Sequence, residues 1–315
     1  MPTKRESLIS EVQQVKKKIG RGNIINVFKV LGLFIIAGLA TWQTLVFIQP
    51  SGPKKSDDHI AVIKINGAIA SGSKYGDGLQ LAEALKEAID NDSAKAVVIM
   101  ANSPGGSPVQ SEILSEMLIR EQDAAGKPIV FQIEEVCASA CVYISSSLKN
   151  GMVYAHKNSL IGSIGVKMES FGLVDAMKTL GIERRSYTIG ESKSFVDPFQ
   201  PEDDAITQHI ETELLTPLYA EFTNVVRQGR GEKLSDDPRV LTGLVWTGEQ
   251  SVELGLVDEI RTSYEVREAL SAEFDTDKFI VYNEGTGSIM QFLTSEFWSD
   301  VISRALIQSE LRVEF

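Results

Sequence analysis

Short apolar runs and longer helical stretches alternate along the chain from residue 60 onwards. Residues 60–65 (IAVIKI), 96–101 (AVVIMA) and 128–133 (PIVFQI) are short and apolar enough to predict buried strands. Apolar residues at helical spacing separate these runs, first between 79 and 89 and then between 109 and 118. A fourth round follows, with a helix within 137–147 and a strand at 152–154. Strands that alternate with helices imply a largely parallel sheet, so the pattern predicts an α/β fold.

One apolar segment near the start of the chain is too long for a strand. Residues 27–48 (VFKVLGLFIIAGLATWQTLVFI) carry a single charge, at Lys29, and a helix of this length spans the hydrocarbon core of a bilayer. A cleaved signal peptide is the alternative, but no small-residue cleavage site follows the segment. Basic residues are concentrated before it, which keeps the N-terminus in the cytoplasm and places the rest of the chain outside.

The domain organisation follows from these patterns. A long helix is expected around residues 203–227, and no internal repeat of 20–50 residues is apparent. The predicted parts are a basic cytoplasmic N-terminus (1–26), a transmembrane anchor (27–48), a polar linker (49–59), an α/β domain (60–285) and a C-terminal amphipathic helix (286–315).

Composition excludes several classes of function. The chain has 315 residues, of which 43% are hydrophobic and 23% charged, as in an ordinary globular protein. Its net charge of -12 argues against nucleic acid as a partner. The three histidines form no metal-binding motif, so neither a metal nor another cofactor is expected. The two cysteines, Cys137 and Cys141, would lie about 6 Å apart on one helix, which is a poor geometry for a disulfide.

A glycine-containing turn joins the second predicted strand to the helix that follows. In residues 102–107 (NSPGGS), Gly105 and Gly106 allow backbone N–H groups to face a phosphate or a developing oxyanion at a helix N-terminus. A plain tight turn with Ser107 as the helix cap explains the same residues. A P-loop would need GK[ST], which is missing, so an oxyanion is favoured over a phosphate.

A serine among small residues follows the third strand. Ser139, in CASAC, would be accessible to an incoming carbonyl if it began a helix, although small residues also serve close helix packing. No histidine lies in a pattern that identifies it as the base of a triad, so a lysine is considered. Lys193, in GESKSFVDPF, has apolar neighbours that would favour a neutral amine, although most lysines are simply solvated.

Several segments in order resemble the S49 family of serine peptidases, in the short membrane-anchored form of signal peptide peptidase A. The resemblance extends from about residue 60 to 260. It rests on the strand-end SPGG (103–106), the serine segment with Ala138–Ser139 and Tyr143–Ile144, IGSIGV (161–166), the lysine segment (190–198), Arg227 to Arg230, and VWTG (245–248) followed by GLVD (255–258).

The resemblance implies roles for particular residues. Ser139 would be the nucleophile, Lys193 the general base, and Ser163 a hydrogen-bond partner that holds the lysine. The backbone N–H groups of Gly106 and Ala140 would form the oxyanion hole, and Gly105 would shape the loop.

The resemblance also implies an assembly and a substrate. The fold would be the crotonase-like spiral shared with the Clp protease subunit. Members form homo-oligomeric rings in which the serine and the lysine meet between protomers. Substrates would be apolar peptides such as signal-peptide remnants, cut by an endopeptidase that is anchored in the bacterial cytoplasmic membrane with its catalytic domain outside the cytoplasm.

Alternatives of other classes stay open at this point. The family usually has two glycines after the nucleophile, whereas this chain has Ala140 and Cys141. That departure would suit a catalytically silent scaffold that binds peptides in a membrane complex. An acyl-CoA enzyme of the crotonase type would share the fold and the oxyanion loop. A cysteine nucleophile, Cys137 or Cys141, is a further alternative without an evident base.

Overall fold

Strands and helices alternate through residues 55–284, the part of the chain that the computed structural model describes. The strands are β1 (His59–Asn66), β2 (Ala94–Ser103), β3 (Ile129–Ala138), β4 (Met152–Ala155), β5 (Leu160–Gly162), β6 (Val245–Thr247), β7 (Glu259–Ile260) and β8 (Phe279–Val281). The α-helices are α1 (Gly78–Asp90), α2 (Pro108–Glu121), α3 (Ala140–Ser146), α4 (Val174–Leu180), α5 (Asp204–His209), α6 (Thr216–Arg230), α7 (Gly248–Glu253) and α8 (Ser263–Phe274). A π-helical stretch (Ile210–Leu215) joins α5 to α6, and two short 3₁₀ turns follow α6.

The strands form one sheet in the order β6-β5-β3-β2-β1-β8, and β4 joins it by pairing with β3 and β7. Every pairing is parallel except that of β5 with β6. The prediction of an α/β fold with a largely parallel sheet is therefore confirmed.

The central strands are buried because helices cover the sheet. Most residues of β1 and β2 are buried, which explains why their sequences are largely apolar runs without alternation. Helix α1 packs Leu81 and Leu85 into the core and is capped by the Asp77 carboxylate, which accepts from the Gln80 N–H. Helix α2 is capped in the same way by Ser107.

Strand β3 pairs with two different strands along the same side. Its residues 130–133 pair with β4, whereas residues 136–138 pair with β5. The sequence pattern predicted that this strand ends at Ile133, the last residue of the apolar run 128–133. That boundary was wrong, since pairing with β5 extends the strand to Ala138. The extension brings the carboxyl ends of β2, β3 and β5 to one edge of the sheet.

Some predicted segments lie outside the described residues. They are the cytoplasmic N-terminus, the membrane anchor at 27–48, most of the linker and the C-terminal helix at 286–315. Between residues 55 and 284, no helix has the combination of length and apolar character that crossing a membrane requires.

A buried ion pair explains two of the sequence motifs. Arg230, at the end of α6, donates to the Asp258 carboxylate at 2.7 Å and to the Gly255 carbonyl at 2.6 Å. The other Asp258 oxygen accepts from the Val153 N–H of β4 at 2.8 Å. Burial alone raises the pKa of Asp258, but hydrogen bonds from Arg230, Lys233 and Val153 outweigh it and hold that pKa below its usual value. The arginine and GLVD motifs thus join α6 to the sheet.

We expect Arg230→Ala to lower the free energy of unfolding by about 3 kcal/mol, because it leaves a buried carboxylate without its main partner. Urea unfolding followed by circular dichroism measures the change. Arg227→Ala is the control on the same helix, since Arg227 is exposed and its loss is expected to cost at most about 0.5 kcal/mol.

The pH dependence of this effect has a defined sign. Because the folded-state pKa of Asp258 lies below its unfolded value, the stabilisation is complete above the unfolded pKa of about 3.9 and is lost as the pH falls through the folded pKa. The difference in the free energy of unfolding between wild type and Arg230→Ala should therefore become smaller at acidic pH. A difference that stays constant down to pH 2 would contradict the assignment.

Candidate active site

The register of the sheet places Ser139 beside Ser163. Ala138 at the end of β3 is paired with Gly162 at the end of β5, so each serine follows its strand by one residue. The Ser139 N–H donates to the Gly162 carbonyl at 2.9 Å, and both serines line the same cleft. Two segments that are distant in the sequence therefore contribute adjacent hydroxyl groups.

Ser139 occupies a strained strand-to-helix turn. Its φ of 52° and ψ of -119° belong to a region that residues with a Cβ rarely adopt. Its carbonyl accepts from the N–H groups of Val142 and Tyr143, which begin α3. Its hydroxyl forms no hydrogen bond with any residue in the range 55–284. A sharp turn between a strand and a helix is a geometry that can present a serine hydroxyl for nucleophilic attack.

The glycine turn after β2 lies directly against Ser139. A Cβ on Gly105 would come within 2.7 Å of the Ser139 Cβ and 2.6 Å of the Ala138 carbonyl oxygen, and its φ is +98°. A Cβ on Gly106, with φ +155°, would overlap the Ile69 carbonyl oxygen at 2.1 Å. The buried Ser103 hydroxyl accepts from the Gly105 N–H and supports the turn. Both glycines are therefore required by close approach of the backbone.

Two backbone N–H groups beside Ser139 have no partner within the described part of the chain. Gly106 contacts Ile69 as an isolated bridge, but the hydrogen bonds of that bridge use the N–H groups of Ile69 and Ser107. Ala140 is the first residue of α3, where the N–H has no acceptor within the helix. Both residues line the cleft. Such a pair of donors is suited to an oxyanion.

The cleft around Ser139 has a volume of about 750 Å³ and largely apolar walls. Tyr143 and Phe222 contact each other in it, with ring centroids 5.6 Å apart, and Leu218 extends the same wall. Burial, together with the charges of Glu221 and Glu112, raises the pKa of Tyr143 to about 12, so its phenol stays protonated at neutral pH.

The contribution of α6 to this cleft was not predicted from the sequence. The signal available was an amphipathic helix, which does not show what its apolar face contacts. The helix approaches α3 so closely that a Cβ at Gly229 would lie 1.6 Å from the Ser146 carbonyl oxygen, and only glycine leaves room for this contact. The helix that follows Ser139 and the helix that carries Phe222 thus pack backbone to backbone.

Lys193 does not line the cleft. It lies in an exposed turn, where its N–H donates to the Gly190 carbonyl at 3.2 Å. The surrounding region, residues 165–221, contains no buried residue in this single copy of the chain. Large apolar side chains are exposed there, among them Phe171 at 81%, Tyr187 at 91% and Ile189 at 99%. The structure therefore brings together Ser139, Ser163, Gly105, Gly106 and Ala140, but not Lys193.

The two cysteines form a disulfide, contrary to the expectation from their spacing. That expectation placed both residues on one helix. Cys137 instead belongs to β3 and Cys141 to α3, and the sharp turn at Ser139 between them brings their Cα atoms to 5.1 Å. Both residues are fully buried and neither has a free thiol, so the alternative of a cysteine nucleophile is also wrong.

The histidines of the described region lie away from the cleft. His59 is hydrogen-bonded to the Tyr282 hydroxyl and His156 to the Ser263 hydroxyl, and no histidine lines the cleft. Residues 55–284 contain no group of three or more side chains that would hold a metal ion. The cleft therefore offers hydroxyl and backbone N–H groups, together with the side chains of Glu112, Lys167 and Glu221 that also line it.

Known proteins resemble this chain. A family model described as peptidase family S49 matches residues 121–277. A putative protease of Synechocystis sp. is 30% identical over 224 residues, which cover 70% of this chain and 76% of that protein. A putative signal peptide peptidase SppA of Enterococcus faecium is 29% identical over 251 residues, which cover 76% of this chain and 71% of that protein.

A further relative is similar over only a part of its own length. A Brucella melitensis protein named Na(+)/H(+) antiporter NhaA is 38% identical over 207 residues, which are 64% of this chain and 28% of that protein. The chain thus spans 28% of this relative. The family model and the Synechocystis relative, which is 30% identical and covered over 76% of its length, show that the chain belongs to peptidase family S49.

Proposed function

We propose that the protein is a membrane-anchored serine endopeptidase that cleaves apolar peptides. The observation that carries the proposal is the strained turn at Ser139, whose hydroxyl lies in an apolar cleft. Beside it are the N–H groups of Gly106 and Ala140, which have no partner among residues 55–284. A nucleophile, an oxyanion site and an apolar cleft are the parts that peptide hydrolysis needs.

The mechanism assigns one step to each group. The Ser139 Oγ attacks the peptide carbonyl while the neutral amine of Lys193 takes its proton. The N–H groups of Gly106 and Ala140 donate to the oxyanion of the tetrahedral intermediate. The lysine then passes the proton to the leaving amine, and an acyl-enzyme remains on Ser139. Water, deprotonated by the same lysine, hydrolyses the ester and regenerates the serine. Ser163 orients the amine by a hydrogen bond.

The lysine is supplied by a neighbouring copy of the chain. Residues 165–221 line the cleft as far as Lys167 and return to it at Leu218. Between these points they carry Lys193 on a surface without buried residues. Soluble proteins rarely expose so many apolar side chains in one region, which supports coverage by a second copy. A head-to-tail arrangement would close into a ring in which each Ser139 meets its neighbour's Lys193.

The cellular setting is also part of the proposal. The parallel sheet would belong to the crotonase and Clp type of spiral, and residues 27–48 would anchor the protein in the bacterial cytoplasmic membrane. The Cys137–Cys141 disulfide supports a catalytic domain outside the cytoplasm, where disulfides persist. An apolar cleft next to a membrane suits signal-peptide remnants as substrates.

Mixed oligomers test the shared site. Full-length Ser139→Ala and Lys193→Ala proteins, each carrying its own affinity tag, are co-expressed and purified over both tags in detergent. Each variant alone should be inactive on apolar fluorogenic peptides. In random mixed rings about a quarter of the interfaces join an intact serine to an intact lysine, so about a quarter of wild-type activity should return. Lys193→Arg should be inactive, because guanidinium stays protonated.

The outcomes separate the alternatives. Mixed oligomers without activity would show that the dyad is not shared between copies. A Lys193→Arg protein with full turnover would remove the lysine from the mechanism. A folded, oligomeric wild type that hydrolyses no peptide would favour a silent scaffold, and Ala140→Gly with Cys141→Gly would then be the next variant to assay.

A further inference from the structure

A covalent bridge encloses the residue that we propose as the nucleophile. Cys137 is the penultimate residue of β3, where it is paired with Ser103 of β2 and Ile161 of β5. Cys141 is the second residue of α3. The disulfide therefore connects the strand to the helix across the turn at Ser139, and both cysteines are fully buried.

The turn itself is held by few other interactions. The Ser139 N–H bonds to Gly162, and the Ser139 carbonyl accepts from Val142 and Tyr143. The side chain adds no hydrogen bond, because its hydroxyl has no partner within residues 55–284. A residue with a Cβ keeps such a conformation only where its surroundings over-determine it. The backbone hydrogen bonds fix each side of the turn, whereas the disulfide fixes one side relative to the other.

We propose that the Cys137–Cys141 disulfide is a positioning element for catalysis, which holds Ser139 in its strained conformation with Oγ in the cleft. This inference rests on the proposed role of Ser139. When a dithiol reduces the bridge, the S–S bond breaks, two thiols form and the reductant becomes a cyclic disulfide. The turn then relaxes toward a less strained conformation, and Oγ moves away from the N–H groups of Gly106 and Ala140.

Reduction of the full-length protein in detergent tests the proposal. Dithiothreitol is applied until alkylation and mass spectrometry show two free thiols per chain, with brief mild urea if the buried bridge resists. The kcat for an apolar fluorogenic peptide should fall about 10- to 100-fold while KM changes little, because misplacement of a reacting atom acts on the chemical step. Removal of the reductant and reoxidation should restore kcat.

A variant without the bridge provides the matched control. Cys137→Ala with Cys141→Ala should have the kcat of the reduced wild type and should not respond to dithiothreitol. Circular dichroism and urea unfolding of oxidised, reduced and variant proteins show whether the fold is retained. A reduced enzyme with confirmed thiols and unchanged kcat would overturn the proposal. So would a loss of kcat that occurs only together with loss of the cooperative unfolding transition.

Hydrogen–deuterium exchange separates this proposal from that of the peptidase. Amides of residues 138–147 should exchange faster in the reduced protein, whether or not the protein hydrolyses peptides. Faster exchange in a protein that is inactive in both redox states would contradict the peptidase, while it would support the bridge as the element that holds the turn at Ser139. Unchanged exchange with intact hydrolysis would contradict the positioning role alone.

Discussion

Ser139→Ala is expected to abolish peptide hydrolysis, with kcat reduced on the order of 10⁴-fold or more. The substitution removes the only atom that would bond to the substrate carbonyl. The hydroxyl has no hydrogen-bond partner among residues 55–284, so its loss should leave the fold intact. Hydrolysis of apolar peptides and labelling by a serine-reactive phosphonate measure the effect, and circular dichroism checks the fold.

Ser139→Gly should be inactive and yet more stable than wild type. Glycine adopts a φ of 52° with a ψ of -119° without steric cost, so about 1 kcal/mol of backbone strain should be recovered. Urea unfolding of the glycine and alanine variants isolates this contribution, because both lack the hydroxyl. A glycine variant less stable than the alanine variant would contradict the strain at this residue.

Ser163→Ala is the matched control for the loss of a hydroxyl. Ser163 lines the same cleft and has a φ of 54°, but in the proposed mechanism it only orients the lysine. Its removal should therefore reduce kcat much less than Ser139→Ala and should preserve phosphonate labelling. Labelling that depends on Ser163 and not on Ser139 would reverse the assignment of the nucleophile.

Gly105→Ala is expected to reduce kcat by about 100-fold or more, through displacement of the turn that faces Ser139. The new Cβ would lie 2.7 Å from the Ser139 Cβ and 2.6 Å from the Ala138 carbonyl oxygen, and a φ of +98° is unfavourable for alanine. Relief of these two contacts would require either Ser139 or the turn with the Gly106 N–H to move. Steady-state kinetics and circular dichroism of the full-length protein measure the change.

Gly126→Ala separates the clash from the cost of a positive φ. Gly126 has a φ of +61°, lies in a surface turn, and a Cβ there would meet nothing within 4 Å. This variant should lose at most about 1 kcal/mol of stability and should keep full activity. If Gly105→Ala were equally active, the close approach at the nucleophile would not matter to catalysis.

Much of the fold could be predicted from local patterns. The runs that became β1 and β2 are apolar because both faces of the sheet are covered. The stretches that became α1 and α2 show helical spacing because one face of each helix is buried. The end of β3 could not be predicted. Whether Glu134 and Glu135 end a strand depends on the next partner strand, and that partner, β5, lies more than 20 residues further along the chain.

The cysteine pair is a second feature that the local sequence pattern could not predict. Their spacing suggested a helix, on which they would not have bonded. The boundary between β3 and α3 falls between the two cysteines, and the turn at Ser139 brings them close enough to form a disulfide. A residue separation measures distance only when the secondary structure is already known.

The sequence by itself determined the α/β class, the order of the elements as far as β4, the serine and glycine segments and the family resemblance, because each depends on residues close together in the chain. Only the tertiary structure decided that Ser139 and Ser163 are adjacent, that Gly105 contacts the serine, that α6 walls the cleft and that a disulfide spans the turn. Those facts depend on strand register and on backbone approach between distant segments. Lys193 lies on an exposed surface of the single chain, so its proposed contact with Ser139 would require a second copy of the chain.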